Sequence, residues 1–314
     1  MIEKTNFKGI EAIKLENNYL KVIIIPELGG KIASIYNIEK DFELLFQNKE
    51  DIYVKPKLYD AFEKFDASGF DDAFPTIDKC SVYINNKHIE YPDHGEIWSS
   101  EFQYKIKEDK ITLSYNSKIL TYTYIKKLHL KGDRLICEYE IKNNGEFDIP
   151  CIWAFHCLVN CEEDMKIIFQ EGTDLIENVH ESKYLGKEGT VHKYPQTLDL
   201  NGGEFYLNKV LPKELKNTEK YYVKGKVNKG QCGMYYPSKD ISYNIYYDEK
   251  KLPYLGFWVT EGGFRGDYNC ALEPTNGYYD DIIKSTNKNS VFILQQGKSL
   301  CFNMEIELKV LKKK

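Results

Sequence analysis

The stretch IPCIWAFHCLVN, residues 149–160, places one imidazole in an otherwise apolar run. His156 has Trp153, Phe155 and Leu158 among its near neighbours. Burying an imidazole among such side chains costs free energy unless the ring gains a hydrogen-bond partner or a chemical role. This histidine is therefore the first residue for which chemistry has to be considered.

If this run is a strand, alternation puts Ile152, Ala154, His156 and Leu158 on one face. Ala154 then leaves space beside the imidazole, as a ligand pocket on a sheet requires. The alternative is a buried histidine whose ring is satisfied by a backbone carbonyl.

A carboxylate occupies a comparable position in NCALEPTNGYYDD, residues 269–281. Glu273 shares a face with Ala271 and precedes Pro274, so it closes a strand. Taken alone, an acidic group at this position is often only the start of a loop.

Two loops add further polar groups. In YPDHGEIWSSEF, His94 precedes Gly95, which would let a ligand approach the backbone. In KFDASGFDDAFPTI, Asp71 and Asp72 precede Pro75. Loop carboxylates of this kind are ordinarily only solvated charges.

The elements that must position these residues are short strands. Alternating stretches such as YINNKHI, RLICEYEIKNNG and FNMEIELKV recur along the chain between turn signals such as LGGK, KGDR and YDEKK. Only YDAFEKF near residue 60 and KVLPKELKN near residue 212 suggest short helices. With no linker visible, we predict an all-β fold, a sandwich of two large antiparallel sheets forming one domain over residues 1–314.

Composition limits the partners and the compartment. A net charge of −5 argues against nucleic acid, and only Arg134 and Arg265 are arginines, so bidentate phosphate recognition has few residues to use. The charged N-terminus lacks a signal-peptide pattern, and VIII at 22–25 is far too short to span a membrane. Eight cysteines then indicate reduced thiols, and we expect a soluble, cytoplasmic protein.

Together the quoted stretches resemble the aldose 1-epimerases, or mutarotases. PELGGKIASIYNIEKDFELLF is similar to the opening strands and Gly-Gly turn of that family, and FDDAFPTI with PDHGEIW resembles its first histidine segment. IPCIWAFHCLVN and CALEPTNG resemble the segments that carry its catalytic histidine and glutamate. The resemblance extends over roughly residues 20 to 305 and implies a galactose mutarotase-like β supersandwich that works without a cofactor.

The resemblance also implies roles. The family interconverts the α and β anomers of free hexoses by opening the sugar ring. Carried over, Glu273 would remove the proton from the anomeric hydroxyl and His156 would protonate the ring oxygen. His94 would hydrogen-bond the sugar near that oxygen. Opening a hemiacetal needs a proton removed from one oxygen and supplied to the other, so one acid and one base are the minimum set.

The sequence departs from the family pattern in its sugar-binding residues. The early arginine of galactose-type members is absent, and their sugar-binding aspartate falls near TEKYYVKG, where Glu219 or Lys220 would substitute. The arginine of the hexose-6-phosphate branch is also absent, which favours a free sugar. As hypotheses, Asp72 accepts hydrogen bonds from sugar hydroxyls, and Trp258 either stacks on the sugar or packs in the core.

Other chemistries fit less well. Cys151, His156, Cys157 and Cys161 lack the paired spacing of a structural zinc site, and we expect no metal. The glycines of EGGFRGDYN do not form a nucleotide-binding motif. The main alternative is a non-catalytic sugar-binding or regulatory protein on the same fold, followed by a glycoside hydrolase using Glu273 with Asp72. The expected partner is a small sugar, and the expected assembly is a monomer or homodimer.

Overall fold

Antiparallel strands dominate the computed structural model, which describes residues 1–65 and 67–311. The predicted domain of residues 1–314 also includes Asp66 and residues 312–314, which lie outside the described residues. The first strands are β1 (Ile2–Phe7), β2 (Ile10–Glu16), β3 (Leu20–Ile25), β4 (Lys31–Asn37), β5 (Phe42–Glu43), β6 (Phe70–Ala73), β7 (Cys80–Ile84), β8 (Lys87–Tyr91), β9 (Gln103–Lys107), β10 (Lys110–Asn116), β11 (Tyr122–Lys131), β12 (Arg134–Asn143) and β13 (Ile149–Cys151). The remaining strands are β14 (Ala154–Cys157), β15 (Val159–Asn160), β16 (Lys166–Ile168), β17 (Leu175–Asn178), β18 (Val191–Lys193), β19 (Gln196–Leu198), β20 (Glu204–Tyr206), β21 (Asn217–Val223), β22 (Gln231–Tyr236), β23 (Ile241–Tyr247), β24 (Tyr254–Glu261), β25 (Tyr268–Thr275), β26 (Phe292–Leu294) and β27 (Ser299–Val310).

Two large sheets organise these strands. The larger has 13 strands, in the order β1-β2-β3-β4-β6-β14-β25-β24-β21-β17-β18, with β5 beside β4 and β15 beside β25. The smaller has eight strands, in the order β16-β22-β23-β27-β12-β11-β10-β9. Pairing along both sheets is antiparallel, as in β24 with β25 and β12 with β27. The predicted all-β, two-sheet architecture is confirmed.

The main apolar core lies between the two sheets. Phe70 and Phe155 of the larger sheet pack with ring centroids 4.3 Å apart, and the Lys126 ammonium of the smaller sheet lies 4.4 Å from the Phe70 centroid. From the smaller sheet, the Tyr243 hydroxyl donates to the Cys157 sulfur at 3.7 Å. Because Phe155 and Cys157 point inward, the intervening residue of β14 faces the outer side of the larger sheet.

Helical structure is short, as expected. The two predicted helices are single 3-10 turns at Phe62–Lys64 and Lys213–Leu215, and a third turn lies at Pro237–Lys239. An α-helix at Ile282–Asn287 was not predicted; its start is capped by the Asp281 side chain, which accepts from the Lys284 amide. Among the described helices, none has the length and apolar character of a membrane span.

The run at 149–160 is more broken than the sequence suggested. Instead of one strand it forms β13, β14 and β15, because β13 pairs with β26 in a small separate sheet while β14 and β15 join the larger sheet. The predicted alternation still holds within β14.

Candidate functional site

Four neighbouring strands of the larger sheet form the floor of a pocket on its outer face. In sheet order these are β14, β25, β24 and β21, which contribute His156, Glu273, Trp258 and Lys220 respectively. Lys220 lies directly opposite Trp258 in the β21–β24 register. The cavity has a volume of about 300 Å³, which is the size of a small-molecule site.

Loops and turns build the walls. His94 comes from the turn after β8, Phe62 from the first 3-10 turn, and Asp280 from the segment after β25. The pocket therefore brings together the predicted residues His94, His156, Lys220, Trp258 and Glu273. They are separated by as many as 179 positions in the chain, from 94 to 273.

Asp72 is not part of this pocket, and its predicted role is corrected. It lies in β6, where alternation turns its side chain into the sandwich. Its carboxylate accepts from the Lys126 ammonium at 2.9 Å and from the Tyr139 hydroxyl at 3.0 Å. The side chains of Asp72 and Lys126 are both 0% exposed, so a sugar in the pocket cannot contact this carboxylate.

Glu273 is a buried carboxylate with unused hydrogen-bonding capacity. Its Oε2 atom contacts the Lys220 ammonium, whereas Oε1 has no hydrogen-bond partner among the described residues. Opposite it on β24 is Gly256, where an added Cβ would lie 3.2 Å from Glu273 Oε2. The absence of a side chain at this position keeps room for the carboxylate.

The charges around Glu273 set its protonation. Burial raises the pKa of Glu273, and nearby Asp280 adds to the rise, while Lys220 opposes it. Burial works to lower the pKa of Lys220, but Asp280 and Glu273 outweigh it and the pKa is raised. The lysine is therefore held as a cation among carboxylates.

A second group of titratable residues lies beside this ion pair. Asp280 accepts from the Tyr222 hydroxyl at 2.8 Å, and its other oxygen lies 3.5 Å from Nε2 of His180. Burial raises the pKa of Asp78, and Asp280 raises it further. Ligand atoms of Asp78, His180 and Asp280 lie within 4.8 Å of one another, as divalent-cation ligands do. However, the Lys220 ammonium, 3.8 Å from Asp280, already competes for that carboxylate, so we assign no metal here.

His156 sits at the opposite end of the floor. It is 8% exposed, and its Nδ1 atom has no hydrogen-bond partner among the described residues. Burial lowers its pKa well below the ordinary value, and the positive charges of His94 and Lys220 act in the same direction. The neutral form of the imidazole is therefore favoured.

His94 is anchored differently. Its Nδ1 atom is 2.8 Å from Oδ1 of Asp93, and its ring stacks on Phe62 with centroids 4.1 Å apart. The backbone of His94 has φ +56°, followed by Gly95 at φ +73°. A Cβ at Gly95 would lie 1.9 Å from the Phe74 carbonyl oxygen, so this turn requires glycine.

Comparison with solved structures finds proteins of similar architecture. A galactose mutarotase-like protein from Lactobacillus casei has a TM-score of 0.72 and 17% identity, and the match covers 95% of this chain and 100% of that one. A galactose mutarotase-like protein from Clostridium acetobutylicum has a TM-score of 0.66 and 13% identity, with 99% of each chain covered.

The chain has the galactose mutarotase-like fold. A galactose mutarotase related enzyme from Lactobacillus acidophilus agrees, with a TM-score of 0.67, 15% identity, and coverage of 96% of this chain and 99% of that one. Residues 2–96 also match the model of a domain of unknown function, DUF5107. The resemblance predicted from the sequence is confirmed at the level of fold.

On this galactose mutarotase-like fold, Trp258 presents an aromatic surface to the cavity. Its ring packs edge-on against Phe264 at 5.9 Å and is only partly buried. Trp258 lines the pocket and also packs against a buried cluster that includes Leu158 and Ala271, so stacking on a sugar stays a prediction. Of the two substitutes for the family's aspartate, Lys220 lines the pocket, whereas Glu219 is its neighbour on the opposite face of β21.

Sequence reasoning missed Phe62, Asp93, His180 and Asp280 as pocket residues. Two of them lie inside stretches singled out for other residues, since Asp93 precedes His94 and Asp280 is the penultimate residue of the segment that contains Glu273. Their proximity to the candidate histidine and glutamate was the available signal. His180 offered none, because its stretch shows no motif.

Proposed function

We propose that the protein is a mutarotase-like isomerase that interconverts the α and β anomers of a free aldose. The observation that supports this most is that a buried carboxylate, Glu273, and two imidazoles, His94 and His156, line one cavity. General acid–base chemistry needs groups of these two kinds on either side of a reacting bond.

Glu273 is the proposed base. A carboxylate kept ionised by Lys220, yet raised in pKa by burial, is a stronger proton acceptor than one in water. Its unbonded Oε1 atom is available to the anomeric hydroxyl. Removing that proton allows the bond between C1 and the ring oxygen to break.

An imidazole must supply the proton that the ring oxygen gains. The family resemblance gives this role to His156, and the pocket holds His94 next to it, with ring centroids 4.9 Å apart. Both rings belong to the proposed catalytic group. Trp258 and Lys220 are the proposed sugar contacts beside them.

The charge of the pocket favours an uncharged sugar. The described lining residues include six carboxylates, no arginine and one lysine, and that lysine already contacts Glu273. Bidentate recognition of a phosphate has no group to use among them. A phosphorylated or otherwise anionic sugar would meet net negative charge.

The leading alternative is a sugar-binding protein without catalysis. One observation favours it, namely that the Lys220 ammonium contacts the proposed base and reduces its basicity. A glycoside hydrolase built on Glu273 and Asp72 is not supported, because Asp72 lies in the sandwich interior.

Magnetisation-exchange NMR on equilibrated aldoses would test the proposal. The wild type is expected to accelerate exchange between anomers, and Glu273→Gln to lower the rate about 100- to 10,000-fold. His88→Asn, on an exposed hairpin strand, is the matched control. If the wild type is no faster than the His156→Ala/Glu273→Ala double variant for any aldose bound, the protein is a binding module.

A further inference from the structure

We propose that His94, held by Asp93, is the proton donor to the ring oxygen, and that His156 acts as an uncharged hydrogen-bonding partner of the sugar. This assignment rests on the proposed isomerase function. It differs from the roles that the family resemblance implies, in which His156 carries the proton.

The first support is the rigidity of the His94–Asp93 pair. Asp93 uses Oδ1 to accept from Nδ1 of His94 at 2.8 Å, and Oδ2 to accept from the Phe62 amide at 2.8 Å. Its backbone carbonyl accepts from the Trp98 indole at 2.8 Å. Burial works to raise the pKa of Asp93, but the hydrogen bond and charge of His94 outweigh it and the pKa is lowered. The carboxylate is therefore charged and fixed in place.

The second support is the placement of the His94 ring. Phe62 stacks on it at an interplanar angle of 15°, and the His94 amide donates to the Ile77 carbonyl at 2.6 Å. With Nδ1 engaged by Asp93, Nε2 is the nitrogen left for a ligand. A carboxylate on the far nitrogen stabilises the imidazolium and fixes its orientation, as in other acid–base sites.

The third support is that the two rings compete for one positive charge. Their centroids are 4.9 Å apart, and like charges at that separation disfavour double protonation. His94 has a carboxylate in contact, whereas the largest charge effects on His156 come from cations, namely His94 itself, Lys220 and Lys31. Across the β6–β14 register from His156 is Asp71, which accepts from Lys31 at 2.5 Å. This geometry favours a proton on His94 over one on His156.

Two further carboxylates near His94 also favour its protonated form. From their separate segments, the carboxylates of Asp78 and Glu273 both interact electrostatically with it. Opposite charges favour the protonated ring. Protonation of the neighbouring His156 would disfavour protonation of His94.

In the proposed ring opening, Glu273 gains one proton from the sugar and His94 gives one to it. Glu273 takes the proton of the anomeric hydroxyl, the C1–O5 bond breaks with its electron pair going to O5, and Nε2 of His94 gives its proton to O5. The open-chain aldehyde then has a neutral imidazole and a protonated Glu273 beside it. After rotation about C1–C2, O5 attacks the other face of C1, His94 recovers its proton, and Glu273 returns its proton to O1.

His94→Asn is the decisive variant, because asparagine tolerates a positive φ better than most residues. We expect anomer exchange to fall at least ~100-fold at every pH, against a loss of about tenfold or less for His156→Asn. His88→Asn, on its exposed strand, is the matched control. If His156→Asn is the more damaging substitution, the assignment is wrong.

Asp93→Asn tests the positioning role through pH. Without the carboxylate the His94 imidazolium is less stabilised, so the variant should be about tenfold slower than wild type at the alkaline end of the pH profile and within about twofold of it at the acidic end. A uniform loss at all pH values would show a merely structural role and overturn the assignment.

Histidine side-chain ¹⁵N NMR gives a readout independent of turnover. As the pH is lowered, His94 should become charged before His156 does. A charged His156 beside a neutral His94 overturns the assignment. No exchange by the wild type would instead overturn the isomerase proposal and, with it, the catalytic role, whereas exchange that survives His94→Asn overturns the assignment alone.

Discussion

Two buried lysine–carboxylate pairs, Asp72 with Lys126 and Glu273 with Lys220, have similar contacts but differ in the hydrogen-bonding capacity that they leave unused. Between the sheets, Asp72 accepts from Lys126 and Tyr139, so both of its oxygens are satisfied. In the pocket, Glu273 contacts Lys220 through one oxygen only. Burial is nearly equal, at 0% exposure for the first carboxylate and 1% for the second.

Remaining hydrogen-bonding capacity, rather than burial, therefore separates the carboxylate that can bind a ligand from the carboxylate that is purely structural. A saturated pair inside a sandwich contributes to the packing arrangement and has nothing to offer a ligand. An unsaturated pair at a cavity keeps an acceptor for a ligand, at a cost in stability.

The interior pair should show the largest effect when it is broken. Lys126→Met leaves the Asp72 carboxylate buried without its cation, and we expect a loss of about 3–5 kcal/mol in the free energy of unfolding, measured by urea denaturation. The Asp72→Asn/Lys126→Met double variant should recover much of the loss, because no unpaired charge remains. A loss below about 1 kcal/mol is typical of an exposed ion pair. It would contradict the view that the Asp72–Lys126 pair is an essential part of the interior.

Glu219 is a buried carboxyl, and no lysine is among the groups that most affect its pKa. Burial raises the pKa of Glu219 from 4.5 to about 7. The folded state therefore binds this proton more tightly than the unfolded state, and stability falls as pH rises from about 4.5 to 7.

Glu219→Gln should remove that fall and raise the unfolding free energy by up to ~3 kcal/mol at pH 8, with little change at pH 4.5. Thermal unfolding at the two pH values measures this, with the exposed Glu39→Gln as the control. An equal change at both pH values would mean that proton linkage is not the cause.

Lys220→Met tests how the ammonium affects the protonation of Glu273 in the pocket. Without the ammonium, burial and Asp280 leave Glu273 protonated to higher pH, so fewer molecules hold the base in its active form. We expect exchange about tenfold slower than wild type at pH 7, with the ratio approaching one as pH rises. Faster exchange in the variant would show that the lysine suppresses the base.

Trp258→Leu should give the smallest effect. Loss of an aromatic surface against a sugar is worth about 1 kcal/mol, which corresponds to an about fivefold higher KM with kcat within about twofold. Steady-state exchange rates over a range of sugar concentrations measure both constants, and Tyr83→Leu at an exposed position is the control. An unchanged KM would assign Trp258 to packing alone.

Much of the fold followed from local pattern. Period-two alternation identified strands such as β12 and β27, because one face of each packs in the core while the other remains more accessible. The division of residues 149–160 among three strands could not be predicted, since partner choice in a sheet depends on distant segments. The helix at Ile282–Asn287 is too short for its periodicity to be visible.

The site was predictable where one residue stood out against its surroundings, as His156 does in an apolar run. The predicted role of Asp72 was wrong because two adjacent aspartates in a strand point to opposite faces. A strand of four residues does not show which of its faces is the interior. The ion pair of Lys220 with Glu273 joins strands 53 positions apart, a distance that no local pattern spans.

The strict alternation of the floor strands makes the cavity sensitive to chain length. In β25, Glu273 faces the cavity while Leu272 belongs to the core between the sheets. Deleting a single residue upstream within that strand would exchange the two sides, sending the carboxylate into hydrocarbon and a leucine into the ligand space. Insertions and deletions should therefore be tolerated in the loops that form the walls but excluded from β14, β21, β24 and β25.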